Sequence, residues 1–397
     1  MAEAQREAWI TGIGIVSTLG EGPEGHWQKL TAGKASADTA TFAPFVVHPL
    51  APVNFDAQIP KKGDQRQMEE WQRIGTYAAG LALDSAGVKG KHEILSHMDM
   101  IVAAGGGERD LAVDSTILSG LPRAQNQAAF LNERLMSDLR PTLFLAQLSN
   151  LLAGNISIVH GVTGSSRTFM GEEAAGVDAV RIALARIASG QSDIALVGGA
   201  HNAERPDMLM LYEFGSFNLK GAFAPVWERR DKPGFALGSL GAFLVIEARD
   251  YAEKRGAKPW ARLSTVLAER SRREPGDVTK TLEHLWGRIK ARVRPGHSAF
   301  LSGATGAAPA TEEERAFLAG HGDLAVRATA TYLGHGMEPQ FSMNVALAAV
   351  ALSHGSLFAP LDATGLERPM NGDLQQVVVT GVGHWRGEGL ALVERIG

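Results

Sequence analysis

Two adjacent glutamates, Glu172 and Glu173, follow Gly171 at the head of an alanine-rich segment that runs to Ala188. A helix over 172–188 puts both carboxylates in its first turn, where the backbone dipole stabilises negative charge by about 0.3–1 kcal/mol. That accounts for glutamate at such a place without any chemistry. If the pair is buried, mutual repulsion disfavours ionising both and raises the pKa of one. A carboxylate held there could also act as a nucleophile and form a mixed anhydride. The chain has no cysteine, which removes thiolate nucleophiles, disulfides and thiolate metal sites. Its twelve histidines show no metal-ligand spacing, so no metal is expected. No P-loop, HExxH or GxSxG motif is present, and Ser239 sits in LGSLG. Gly12-Ile13-Gly14 follows a strand and carries half of a dinucleotide fingerprint. The third glycine and the distant acid that such a site needs are absent. The reading is a tight strand-to-loop turn with no cofactor.

The frame around these residues is α/β. The chain has 397 residues, 45% hydrophobic and 21% charged, which is ordinary globular composition. A net charge of −4 argues against a bulk nucleic-acid binder. The polar start, Met1 to Glu7, has no apolar signal core, and no run reaches the ~18 apolar residues of a membrane span. A soluble cytoplasmic protein is expected. Strands are read at 8–11, 98–104, 165–170, 192–198 and 235–247, and helices at 22–30, 67–86 and 172–188. The second part repeats this order, with strands at 297–303, 376–380 and 387–395 and an alanine-rich helix at 340–354. Two weakly similar halves, 1–250 and 251–397, are the implied organisation. The stretch 251–294 holds twelve Lys/Arg against five Asp/Glu. It reads as a solvated face of surface helices, or as a landing surface for an acidic partner.

Six fragments, in order along the whole chain, resemble the β-ketoacyl-acyl carrier protein synthase family, the condensing enzymes of the thiolase superfamily. They are WITGIGIVSTLG (9–20), LFLAQLSNLLAGNISIVHGVTGSS (143–166), DIALVGGAHN (193–202), KPGFALGSLGAFLVIEA (232–248), DYAEKRGAK (250–258) and ATATYLGHGMEPQ (328–340). The resemblance implies a thiolase fold, with two pseudo-repeated halves in a five-layer αβαβα sandwich. It also implies a dimer formed through the strand near 165–170, with Phe169 or Met170 close to the partner. The family's chemistry uses a cysteine at a helix start, two histidines and a lysine. Carried over, Glu173 takes the nucleophile position, Gly303 the first histidine and Ala330 the lysine, while His335 retains the second histidine. The family's acid in the glycine-rich hairpin becomes Ser239. Phe169, Met170, Phe235, Gly381 and Gly383 fall at substrate-binding positions.

With this set incomplete, the resemblance is to chain-length-factor subunits. It implies a non-condensing partner of an active ketosynthase in fatty acid or polyketide assembly, docking an acyl carrier protein as a heterodimer or homodimer. Two alternatives stand beside it. One is an altered acyltransferase or decarboxylase using Glu173 and His335, and the other is an acyl-binding scaffold without catalysis.

Overall fold

The computed structural model describes residues 5–397; the first four residues of the polar start lie outside it. Ten strands build the main sheet: β1 (Ala8–Ser17), β2 (Asp99–Ala103), β3 (Ser166–Phe169), β4 (Ile194–His201), β5 (Leu240–Ala248), β6 (Ala261–Glu269), β7 (Ser298–Ser302), β8 (Ala325–Ala328), β9 (Gln376–Val382) and β10 (Glu388–Glu394). Their spatial order is β8-β7-β9-β10-β6-β1-β5-β4-β2-β3, with the short strand Gly20–Glu21 hairpinned onto β1. Split between β6 and β1, each half has the same plan: its third, second, fourth, fifth and first strands in that order. In each, the second strand lies parallel to the third and fourth, and the fifth runs antiparallel to its neighbours. The resemblance implies two sheets, each half contributing a mixed five-stranded one. Instead β1 and β6 pair at Trp9↔Arg262 and Ile10↔Ala261, so the sheet is continuous through that short ladder.

Four helices define the layers: α1 (Glu70–Ser85), α2 (Glu172–Ala188), α3 (Asp277–Gly287) and α4 (Gln340–His354). Helices α2 and α4 contact each other and both halves of the sheet. Their apolar residues share one core with Ile13, Val197, Leu301 and Val379. All of α4 from Gln340 to Leu352 is buried, as expected for a helix that is apolar on every side. Helix α1 covers the outer face of the first half, and α3 with the helix Ala310–Gly320 covers that of the second. The result is the five-layer αβαβα arrangement. No helix among the described residues is long and apolar enough to cross a membrane.

Two expectations are corrected. Gly12 and Gly14 lie inside β1, not in a turn, and the backbone of α1 passes against them. A Cβ on Gly14 would fall 2.0 Å from the Ala78 carbonyl oxygen and 2.4 Å from the Ala82 nitrogen. The basic stretch 251–294 is not all helix either, because β6 runs through it. A register shift opposite Leu392/Val393 breaks the alternation of β6, so its period-2 signal is lost. Several of its cations serve buried acids: Arg255 on Glu247, Arg262 on Glu394 and Arg273 on Glu388. A buried carboxylate stays ionised when so paired, and this is a structural use of part of that charge.

Gly14→Ala should therefore destabilise the fold by about 1–3 kcal/mol, from overpacking against helix backbone that cannot yield. Urea unfolding of the variant against the parent chain measures this.

Candidate functional site

Met170 and Gly171 (φ 130) link β3 to α2, and Glu172, the first residue of α2, has φ 58. A left-handed conformation at a non-glycine residue costs about 1–3 kcal/mol and persists only where the surroundings impose it. It leaves Glu172 half-buried and turns Glu173 inward to 5% exposure.

Glu173 Oε1 is the meeting point of three segments. His335 Nε2 lies 2.7 Å away and His384 Nδ1 2.9 Å, while the His384 backbone N–H donates to it at 3.3 Å. His384 Nδ1 also lies 3.3 Å from Oε2. Both imidazoles are buried. His335 is fixed through its backbone, which donates to Ala236 O at 2.7 Å and accepts from Gly238 N at 2.9 Å. Behind it, Gly336 N donates to Gln340 Oε1 at 2.8 Å. A side chain at Gly238 would collide with the Leu333 carbonyl at 2.1 Å, so glycine is required for that approach.

His384 stands in a tight loop closed by Gly383 N donating to Gly387 O at 2.9 Å. Arg273 clamps this loop from outside. Its Nη2 donates to Gly383 O at 2.8 Å and pairs with Glu388 at 3.1 Å. Phe217, Tyr212 and Phe235 surround the imidazole edge-on, with centroids 4.7, 5.6 and 5.6 Å away. Trp385, next in the loop, donates its indole N–H to the Glu172 carboxylate.

The electrostatics follow from these contacts. Burial pushes the Glu173 carboxyl up, but the charge of His384 and hydrogen bonds from His335 and His384 hold it well below its usual 4.5. Burial pulls His384 down, yet Glu173 and Glu172 hold it above its usual 6.5. The expectation that a buried Glu172/Glu173 pair raises one pKa fails at Glu173, because two imidazoles face it. A neighbouring carboxyl, Glu338, is instead pushed up to about 7 by burial and by the charges of Glu173 and Glu172. It lies 3.9 Å from His201 Nδ1.

The other sequence-derived positions divide in two. Gly303 and Gly381 line a cavity with Glu173, Gln340 and Phe341 that measures about 10 Å³, room for one water at most. Gly303 cannot carry a side chain in this backbone, since a Cβ would lie 2.6 Å from Thr380 O and 2.9 Å from Gly381 Cα. Phe235 packs against His335 at 5.5 Å, and a Cβ on Gly383 would lie 3.3 Å from Glu173 Oε2. Ala330 instead joins the outer apolar cluster with Val226 and Phe300. Phe169 is half-buried, and Met170 is 64% exposed just past the end of β3, contacting Ser149 Oγ. His384 was not singled out from sequence. It lies 211 residues from Glu173, and no spacing rule links the two.

The family description "Beta-ketoacyl synthase, N-terminal domain" matches residues 5–250, more than half of the chain. The chain belongs to the β-ketoacyl synthase family. It is 26% identical over 272 residues to 3-oxoacyl-[acyl-carrier-protein] synthase 2 of Vibrio cholerae; the match covers 65% of this chain and 62% of that relative. Among solved structures it is similar to the ishigamide ketosynthase/chain length factor, with TM-score 0.79, 19% identity, and coverage of 99% of this chain and 100% of the other. A second similar structure is a type II PKS acyl-carrier protein in complex with its ketosynthase, with TM-score 0.76, 15% identity, and coverage of 99% and 100%.

For this β-ketoacyl synthase family chain the buried ion pair sets a pH signature. Glu173 has a depressed pKa, so its contribution is present above about pH 4.5 and is lost as pH falls toward its folded value. His384 has a raised pKa, so its contribution is complete below about pH 6.5 and fades as pH rises through its folded value. The stability difference between the parent chain and His384→Gln should be largest between these limits and shrink on either side. Thermal unfolding of both proteins across the range measures it. A pH-independent difference contradicts the ion pair.

Proposed function

We propose that this chain is a non-condensing, ketosynthase-like subunit of fatty acid or polyketide assembly. It works in the cytoplasm beside a cysteine-bearing synthase and an acyl carrier protein. One observation carries the reading: Glu173, which the resemblance puts at the nucleophile position, is a carboxylate held by the imidazoles of His335 and His384, next to a cavity of about 10 Å³. Stabilising an enolate requires N–H donors aimed at the developing oxyanion. Here those donors are spent on Glu173, and the cavity has no room for an acyl chain. The same contacts disfavour a mixed anhydride at Glu173, whose Oε1 already accepts three hydrogen bonds.

Support for the partner comes from the edge of the sheet. β3 ends the strand order, and its Ser166 and Arg167 are exposed. Beside it, Met170 contacts Ser149, one residue after the exposed Leu148. An uncovered edge flanked by apolar side chains is an aggregation hazard unless another chain covers it. The similar structures named above include a ketosynthase/chain length factor and a carrier protein held by its ketosynthase, and that pairing is the one proposed here.

Co-expressed with an intact Cys-His-His synthase, the chain should elute with it as a stable one-to-one complex. Alone it should give no condensation product from malonyl- and acyl-carrier substrates, since losing even one oxyanion donor costs about 10²–10³ in rate. Product mass spectrometry and light scattering read the two arms. A family-like condensation rate from the chain alone that vanishes in Glu173→Gln overturns the proposal in favour of a carboxylate mechanism. A homodimer that never accepts the synthase overturns the partner role.

A further inference from the structure

The contacts at the head of α2 gather donors of a second kind. The carboxylates of Glu172 and Glu173 and an imidazole nitrogen of His384 offer three ligand atoms within 4.8 Å of one another. His335 Nε2 touches the same Glu173 oxygen at 2.7 Å. We propose that Glu172, Glu173 and His384, with His335 as fourth donor, bind one divalent first-row transition-metal ion. The inference rests on the reading above, that this centre holds the fold and does not turn over substrate, and it gives the centre a ligand.

The donor set fits that class of ion. Imidazole nitrogen with carboxylate oxygen suits Zn²⁺ and its neighbours in the first row. Zinc binds both donor types at about 2.0–2.2 Å, which places tetrahedral ligands about 3.4 Å apart. The nearest contacts here are shorter and the widest reach 4.8 Å. An ion at the centre separates the near pairs and draws in the far ones. His384 Nδ1 already faces both oxygens of Glu173, at 2.9 and 3.3 Å, where a metal can take the place of the shared proton.

Three features of the chain serve the site. Successive helical side chains diverge by about 100°, yet Glu172 and Glu173 converge on one imidazole because Glu172 is left-handed. Arg273 and the Gly383–Gly387 hydrogen bond fix the loop that presents His384. Glu172 is half-buried beneath Trp385, which is 51% exposed, so one side chain separates the donors from solvent. Binding needs no redox partner: the ion replaces the Nδ1 proton of His384, which leaves to solvent, while the His335 ring proton shifts from Nε2 to its unpartnered Nδ1.

The test uses the full chain, stripped with chelator and titrated with ZnSO₄ by calorimetry. CoCl₂ absorption in the visible reports the donor geometry. One ion per chain is expected, with about one proton released, read from buffers of different ionisation heat. His384→Ala and Glu172→Gln should each weaken binding by at least ~10-fold, with folding checked by circular dichroism. If His384→Ala does not fold, Glu172→Gln decides, because its carboxylate lies at the rim. No saturable Zn²⁺ or Co²⁺ binding overturns the proposal, and so does binding that neither substitution weakens. Co-elution with a synthase is read separately, so the ion site and the partner role fail independently.

Discussion

One carboxylate oxygen, Glu173 Oε1, joins segments that the chain separates widely. It lies at the head of α2 in the first half, and both imidazoles that reach it come from loops of the second. A buried carboxylate without such partners is heavily penalised, and removing one member of a buried pair leaves the other uncompensated. The surrounding structure follows from that requirement. Gly238 lets the backbone approach that fixes His335, Gln340 braces the following residue, and Arg273 holds the loop of His384. The aromatic ring formed by Tyr212, Phe217 and Phe235 keeps water from the imidazole edges.

The repeated topology explains how the halves can present these groups to one another. In each half a central helix lies between the two sheet surfaces, and α2 and α4 touch at the middle. Strand ends and loops on one side of both halves therefore converge on the helix starts. The same symmetry leaves β3 and β8 as outer edges while β1 and β6 close the centre through two residue pairs. Edge and centre thus have different uses: the centre buries charge, and the β3 edge offers backbone.

Much of this could be read from the residues. α2 and α4 match the expected 172–188 and 340–354 because small apolar residues on all faces suit a helix buried between sheets. β4, β5, β9 and β10 were visible as continuous apolar runs, the mark of strands covered on both faces. β6 was not, since Arg262, Ser264 and Thr265 interrupt its apolar residues and a bulge resets the phase. Gly12 and Gly14 were noticed for a turn but answer to helix–strand contact, which sequence cannot show. Glu173 and His335 were placed by resemblance. His384 escaped both approaches: its position is set by a loop closure at Gly383–Gly387 and by an arginine more than a hundred residues earlier.

The crowding at Gly303 bears on how freely this protein can change. Its backbone N–H donates to Thr380 Oγ1 at 2.9 Å, and any side chain there meets the backbone of β9. β7 and β9 lie side by side within the sheet, with β8 and β10 outside them. Admitting an imidazole at 303 would require the backbone at Thr380 and Gly381 to shift. In the loop 383–387 the room for a different side chain lies at Trp385 and Arg386, which are exposed, while Gly383 and Gly387 are closed off by Arg386 O and Ala174. Substitutions tolerated at this centre are thus confined to two exposed positions, and the backbone on either side of them is fixed.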